Sequence, residues 1–180
     1  MCNFTPVPYY CEENIWMLLN SDAMAEKDSY AVLISNEAKN VVIFEQQSET
    51  GHDVVFWDYH VAALERNGLK SKIWDFNTKL DVPCSANEWL SASFQNASMP
   101  EKYWSSFRVV PREVFLRSFV SDRSHMLNPD GSYMKTPPPW DRIGKGRPNL
   151  LQYLDMEDES LGTVYGFNQL KQFINALKAP

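Results

Sequence analysis

The stretch from Val54 to Asp75 constrains the fold more than any other part of the sequence. Two runs rich in β-branched and aromatic residues flank Asn67-Gly68, a dipeptide whose tolerance of positive φ suits a two-residue hairpin turn. With this turn at the tip, His60 faces Asp75. Directly opposed residues of an antiparallel pair share one face, with Cβ atoms roughly 5 Å apart. We therefore expect the Asp75 carboxylate to accept the imidazole Nδ1–H and to leave Nε2 as a base.

The same register makes a second prediction, because it places Glu65 opposite Lys70 as a cross-strand charge pair. A β-bulge would shift both pairings. The alternative to a catalytic pair is an ordinary sheet histidine that is hydrogen-bonded to a neighbouring acid.

Length and charge narrow the class of protein. At 180 residues the chain is long enough for a sizeable core, and no composition break divides it, so we expect a single domain over 1–180 with an extended lead-in over 1–8. The net charge of −6 argues against nucleic acid or an anionic membrane as partner. No apolar stretch approaches the roughly 20 residues of a membrane span, and a signal peptide is not evident. We expect a cytoplasmic protein, with the nucleus as a second location.

Further patterns predict an α/β (α+β) fold in which helices flank an antiparallel sheet. Strands over 30–35 and 41–46 are expected to form a four-stranded meander with the two central runs. The other predicted elements are a helix after a capping box at Ser85 and Glu88, a strand over 107–110, and helices over 111–119, 149–154 and 168–177.

Cys11 begins the first amphipathic helix of the chain. At a helix start, partial positive charge and unpaired N–H groups lower the pKa of a thiol and can hold an oxyanion. Glu12 and Glu13 oppose this effect if their charges lie close to the sulfur. The alternative is that Cys11 is a small buried hydrophobe at the start of the helix.

The other two cysteines have fewer features that indicate a catalytic role. Three cysteines cannot all pair within the chain, and their spacing does not indicate a zinc site. Cys2 lies in the lead-in, without groups to activate it. Cys84 also precedes a helix, but packing against Trp89 as a hydrophobic staple explains it without chemistry.

Among the histidines, His52 is expected in an exposed loop and His125 in the polar loop SDRSHM, with a pocket-lining or hydrogen-bonding role. Only His60 comes with a placed acid. We therefore predict a site of Cys11, His60 and Asp75, in the arrangement of papain-like and transglutaminase-like enzymes, where the nucleophile begins a helix packed on a sheet.

Four segments resemble the family of N-terminal glutamine amidohydrolases, which convert an N-terminal glutamine to glutamate in the arginine branch of the N-degron pathway. These segments are YCEENIW at 10–16, AVLISNE at 31–37, WDYHV at 57–61 and SDRSHM at 121–126. The resemblance runs from about Tyr9 to Val164-Tyr165 and implies that Cys11, His60 and Asp75 are catalytic. It also implies a monomer without metal or cofactor and a fold similar to transglutaminases and cysteine proteases.

One position departs from the pattern of the family. Asn77 stands where a second acid is expected, which leaves the predicted triad unchanged.

The resemblance implies amide hydrolysis through a Cys thioester, on proteins or peptides that begin with glutamine. Recognition of their free α-ammonium calls for a carboxylate or for backbone carbonyls. The candidate carboxylates are Glu12, Glu13, Asp58 and Asp122, with His125 as a further substrate-binding residue. The alternative for Glu12 and Glu13 is that they are ordinary acids of the first helical turn. Two rival functions remain: a cysteine peptidase or acyltransferase with the same triad, and a non-catalytic module that binds peptide N-termini.

Overall fold

The computed structural model describes residues 4–47 and 54–176, and of Ala97 only the backbone. Within these ranges the chain forms five α-helices and eight strands. The helices are α1 (Cys11–Leu19), α2 (Ala86–Ser93), α3 (Arg112–Ser118), α4 (Leu150–Tyr153) and α5 (Phe167–Asn175). The strands are β1 (Ser29–Ser35), β2 (Val41–Phe44), β3 (Val54–Trp57), β4 (His60–Glu65), β5 (Lys72–Trp74), β6 (Cys84–Ser85), β7 (Ser106–Pro111) and β8 (Thr163–Tyr165).

Six of the strands form one antiparallel sheet in the order β6-β5-β4-β1-β7-β8, and β2 and β3 form a separate two-stranded ribbon. The predicted α+β class with an antiparallel sheet and flanking helices is confirmed. The predicted meander is wrong, because β1 pairs with β4 and β7 and not with β2. The first central run is broken at Asp58-Tyr59 into β3 and β4, and the Ser35 hydroxyl holds the break by donating to the Asp58 carbonyl at 2.7 Å.

Apolar clusters cover both faces of the six-stranded sheet. One cluster joins alternate residues of β1 and β4 to α1, α3 and α4, among them Leu33, Val61, Ile15 and Phe115. The other joins the intervening residues to α2, α5 and the ribbon, among them Ile34, Ala62, Trp89 and Ile174. The period-two alternation of β1 and β4 thus divides their side chains between two cores, which is why these strands are apolar throughout.

The β4–β5 hairpin differs from the predicted one by two residues. Glu65 pairs with Lys72 and not with Lys70. Asp75 follows the end of β5, so it is not directly opposite His60. Because side chains alternate with a period of two, a shift of two residues leaves every side chain on its predicted face.

The longer turn has a local cause. Gly68 has the expected positive φ of 55°, but the Lys70 N–H bonds the Asn67 carbonyl and the Ser71 N–H bonds the Gly68 carbonyl, so the turn extends to Ser71. The buried Ser71 hydroxyl shares its one proton between the Gly68 and Ile174 carbonyls, whose oxygens lie 2.6 and 2.9 Å away. Contacts with α5, far away in sequence, therefore fix the turn.

The helix starts agree closely with the sequence. α1 begins at Cys11, and the Ser85 hydroxyl caps α2 by accepting from the Glu88 N–H at 3.5 Å. The strand β8 was not predicted, since its three residues carry only a short pattern. In the part of the chain that the structure describes, the helices are too short or too polar to cross a membrane.

Candidate active site

A buried histidine and aspartate are bonded at one end of the sheet. His60 Nε2 lies 2.8 Å from Asp75 Oδ1, and both side chains are fully buried. The predicted pairing is present, but through Nε2 and not Nδ1. The difference follows from the register, because Asp75 lies past the strand end. Among the described residues Nδ1 has no hydrogen-bond partner, which makes it the nitrogen that can act as a base.

Asp75 is held as an anion by four donors. Its Oδ2 accepts from Gln46 Nε2 at 2.9 Å and Trp89 Nε1 at 3.0 Å, while Oδ1 also accepts from the Asn77 N–H at 2.9 Å. Burial acts to raise the pKa of the carboxyl, but the charge and bond of His60 and the other donors outweigh it and lower the pKa to about 2. Sequence patterns did not identify Gln46 or Trp89 as hydrogen-bond partners of Asp75, because neither is near Asp75 in the chain.

Cys11 is the first residue of α1, and its thiol donates to Glu12 Oε2 at 3.6 Å. Burial and the Glu12 charge raise the pKa of the thiol well above its ordinary value, while the backbone N–H of Val61 acts to lower it. The expectation of a lowered thiol pKa is therefore wrong for this state, in which Cys11 holds its proton. Since Val61 follows His60, the sulfur lies next to the start of β4.

The thiol and the imidazole approach the end of β4 from different faces. Cys11 belongs to the cluster that contains Val61. Because side chains alternate along a strand, His60 points to the other face. His60 is the first residue of β4, so the thiol beside Val61 and the imidazole lie at the same end of this strand. They are not hydrogen-bonded to each other in this state.

A cavity of about 350 Å³ lies beside Cys11. His60 does not line it, but the ring of Trp57, which does, has its centroid 5.2 Å from that of the His60 ring. The polar lining of the cavity comes from Cys11, Lys39, Asp58, Tyr59 and His125, and most of the remaining wall is methionine and leucine between 126 and 154. The structure therefore brings three residues from the sequence analysis, Cys11, Asp58 and His125, to one cavity. Tyr59 and Lys39 were not predicted, although Tyr59 stands inside the WDYHV segment.

Glu12 lies fully buried behind this lining. The Tyr59 hydroxyl donates to its Oε2 at 3.1 Å, and His125 Nε2 is 3.4 Å from its Oε1. Burial acts to lower the pKa of His125, but the neighbouring Glu12 raises it by more, so that the pKa lies above its ordinary value. Glu12 therefore links the thiol to the histidine and tyrosine of the cavity.

Glu13 has a different environment although it follows Glu12 directly. Its carboxylate accepts from Arg123 Nε and Nη2 at 3.0 and 2.9 Å, from the Ser121 hydroxyl at 2.8 Å and from Trp140 Nε1 at 2.8 Å. These donors fill its acceptor positions, and Glu13 does not line the cavity. Its role is to fix the SDRSHM loop and Trp140 to α1.

The other candidates lie away from the cavity or outside the described residues. Asp122 accepts from the Ser124 N–H at 2.9 Å and does not line the cavity. Cys84 is buried in the core on the opposite side of the sheet from α1. Cys2 and His52 fall outside the described residues. Within 4–47 and 54–176, histidine, cysteine, aspartate and glutamate do not form a group of three that could hold a metal ion.

The fold and the site together define an α+β protein with a thiol at a helix start and a buried histidine–aspartate pair at the end of an antiparallel sheet. The chain belongs to the N-terminal glutamine amidase family, whose model matches residues 6–174. It is similar to the protein N-terminal glutamine amidohydrolase of Caenorhabditis briggsae, with 38% identity over 88% of this chain and 90% of the relative. The proteins of the same name from Homo sapiens and Bos taurus are each 36% identical, over 89% and 92% of this chain and 82% and 83% of their own lengths.

Proposed function

We propose that this protein hydrolyses the side-chain amide of an N-terminal glutamine in proteins or peptides, yielding N-terminal glutamate and ammonia. One observation supports the proposal above all: Cys11 and Trp57 line one cavity, and the Trp57 ring packs against the buried His60 of the His60–Asp75 pair. Among the described residues, Nδ1 of this histidine has no hydrogen-bond partner. Membership in the family and the names of the similar proteins support the choice of substrate.

In the first step, His60 Nδ1 takes the proton of the Cys11 thiol. The thiol has to turn from Glu12 past the end of β4 to reach this nitrogen. The sulfur then attacks the carboxamide carbon, and the first N–H groups of α1, which have no partner within the helix, face the oxyanion. Asp75 stabilises the imidazolium by charge and hydrogen bond.

In the second step, the tetrahedral intermediate collapses, the C–N bond breaks and His60 gives its proton to the departing ammonia. The products are a thioester on Cys11 and free ammonia. His60 then removes a proton from water, which attacks the thioester. The C–S bond breaks, the sulfur regains its proton, and glutamate is released at the start of the peptide.

Recognition of a peptide start requires an anion near the cavity. Among the acids considered in the sequence, Asp58 lines the cavity and Glu12 lies directly behind it, whereas Glu13 and Asp122 are bonded elsewhere. We assign the α-ammonium to the end of the cavity beside Glu12 and His125, with Asp58 as the rival carboxylate. We further propose that the chain acts as a monomeric catalytic domain, without metal or cofactor, and supplies N-terminal glutamate to the arginine branch of the N-degron pathway.

Ammonia release from three peptides tests the function. One peptide begins with glutamine, one begins with asparagine and one carries glutamine only at an internal position. We expect ammonia from the first alone, with the peptide chain left uncut. Cleavage of the peptide bond would favour the peptidase, and binding without ammonia release would favour the non-catalytic module.

Substitution of the thiol tests the assignment of the nucleophile. Cys11→Ala is expected to abolish ammonia release, while Cys84→Ala, which removes a buried thiol on the opposite side of the sheet, retains it. Turnover that survives in Cys11→Ala would refute the proposed triad. Mass spectrometry of the parent protein during turnover is expected to reveal an acyl adduct on the peptide that contains Cys11.

A further inference from the structure

Glu12 is a buried carboxylate whose Oε1 faces the imidazole of His125. Its side chain is fully buried, and Oε2 accepts from the Tyr59 hydroxyl and the Cys11 thiol. Among the described residues Oε1 has no hydrogen-bond partner. The imidazole of His125 is 3.4 Å from Oε1, and 32% of that side chain is exposed. A buried anion is costly unless a cation neutralises it. His125 lines the cavity, so a ligand cation that enters the cavity approaches the Glu12 carboxylate at this ring.

The charge of Glu12 acts on Cys11. It is the largest cause after burial of the raised pKa of the thiol, and the Asp75 charge acts in the same direction. Tyr59, which directly precedes β4, and His125 of the SDRSHM loop also approach the Glu12 carboxylate. While Glu12 stays negative, it holds the thiol as a protonated donor and turns it away from the base.

We propose that the α-ammonium of the substrate binds at Glu12 Oε1 beside His125 and, by neutralising this carboxylate, releases Cys11 to react. The inference rests on the proposed function and adds how a free N-terminus controls the nucleophile. An internal glutamine has a neutral amide in place of the ammonium. It therefore fails in the chemical step as well as in binding.

The length of glutamine fits this arrangement. Three carbon atoms separate its α-nitrogen from its carboxamide carbon, so these atoms lie up to about 5 Å apart at about 1.5 Å per bond. The sulfur is 3.6 Å from the Glu12 carboxylate. An ammonium about 3 Å from Oε1 therefore allows the carboxamide carbon to reach about 3 to 3.5 Å from the sulfur. Asparagine is one carbon shorter, so it falls short of this attack distance.

Alkylation of Cys11 tests the coupling without any turnover. The rate of reaction with iodoacetamide is measured against pH, and mass spectrometry separates Cys11 from Cys2 and Cys84. Glycinamide supplies an ammonium without a side chain that blocks the sulfur, and N-acetylglycinamide is the matched neutral probe. With the parent protein, saturating glycinamide is expected to raise the Cys11 rate at pH 7 by about tenfold or more, which corresponds to about one unit of thiol pKa. N-acetylglycinamide leaves the rate unchanged.

The Glu12→Gln variant is expected to alkylate faster than the parent by a similar factor without any amine, and to lose the response to glycinamide. Asp58→Asn tests the rival carboxylate and is expected to keep the response. An unchanged profile in Glu12→Gln, or a response lost in Asp58→Asn alone, would overturn the inference. If Glu12→Gln does not fold, the two probes on the parent still decide, because equal rates with both would refute the coupling.

The proposed function and the coupling between Glu12 and Cys11 are refuted by different results. A parent protein that releases no ammonia from a glutamine-initiated peptide refutes the function, whereas the alkylation profile reports only on Glu12 and Cys11. Normal deamidation with no effect of glycinamide on alkylation would retain the function and refute the coupling.

Discussion

Replacing Asp75 by asparagine removes the anion beside His60 while preserving the size of the side chain. In the folded protein the pKa of Asp75 is held at about 2, against 3.8 for an ordinary aspartate. At about 1.4 kcal/mol per unit, this difference corresponds to about 2 kcal/mol of stability at neutral pH. The amide must also turn its NH₂ group toward two of the four donors around the carboxylate, which adds about 1 to 3 kcal/mol. The expected total loss is about 3 to 5 kcal/mol.

The contribution of the Asp75 charge to the free energy of unfolding changes with pH in a defined direction. Because the pKa of Asp75 is lower in the folded than in the unfolded protein, its stabilisation is present above about pH 4 and is lost as the pH falls toward 2. About half of it remains at pH 3. The free energies of unfolding of the parent and of Asp75→Asn should therefore approach each other by about 1 kcal/mol between pH 6 and pH 3.

Urea unfolding at several pH values measures this difference. Asp81→Asn is the matched control, because Asp81 is exposed, and its difference from the parent should be small at every pH. A parent-to-variant difference for Asp75→Asn that stays constant from pH 6 to pH 3 would refute the assignment of Asp75 as a strongly stabilised anion.

The same variant tests the role of the pair in catalysis. Without the carboxylate, the imidazolium formed in the first step loses its charge partner, and the neutral ring is free to adopt the other tautomer. We expect kcat for ammonia release to fall on the order of 10³ to 10⁴. A fall of less than about tenfold in a protein that remains folded would show that Asp75 supports the sheet and not the reaction.

Three further predictions concern stability. Arg108→Met should lower the free energy of unfolding by about 3 kcal/mol in urea titrations, because the buried guanidinium donates to backbone carbonyls of the 153–162 segment; an unchanged midpoint would contradict this role. Glu13→Gln should lower the free energy of unfolding by about 3 to 5 kcal/mol, since it leaves the Arg123 cation without its buried anionic partner. A melting temperature equal to that of the parent would contradict this prediction. Ser71→Ala should lower the free energy of unfolding by about 1 to 3 kcal/mol, because the hydrogen bonds of the turn are lost, and should leave kcat unchanged. A reduced kcat under conditions in which the variant is fully folded would contradict this prediction.

The sequence predicted local elements well because their signals are local. The start of α1 at Cys11, the Ser85 cap of α2 and the runs that form β1, β4 and β7 depend on residues a few positions apart. The strand order could not be predicted in this way. It depends on which strand is apolar on both faces, and β1 takes the centre because only a central strand is covered by helices on both sides.

The contact between His60 and Asp75 was predicted correctly from a register that was wrong. The shift of two residues preserved the face, so the carboxylate still reached the ring, but from beyond the end of β5 and at the other nitrogen. The cause was Ser71, whose bonds to α5 lengthen the turn. A partner more than a hundred positions away in the chain gives no signal at the Asn67-Gly68 dipeptide itself.

Glu12 and Glu13 mark the limit of what the sequence can assign. Both acids stand in the first turn of α1, where the helix dipole favours either one. Successive residues of a helix point about 100° apart, so one carboxylate meets Arg123 while the other meets Tyr59 and the thiol. A carboxylate that a buried arginine neutralises has little charge left to influence a sulfur. The effective charge near Cys11 is therefore decided by loops that close over α1 from the last third of the chain.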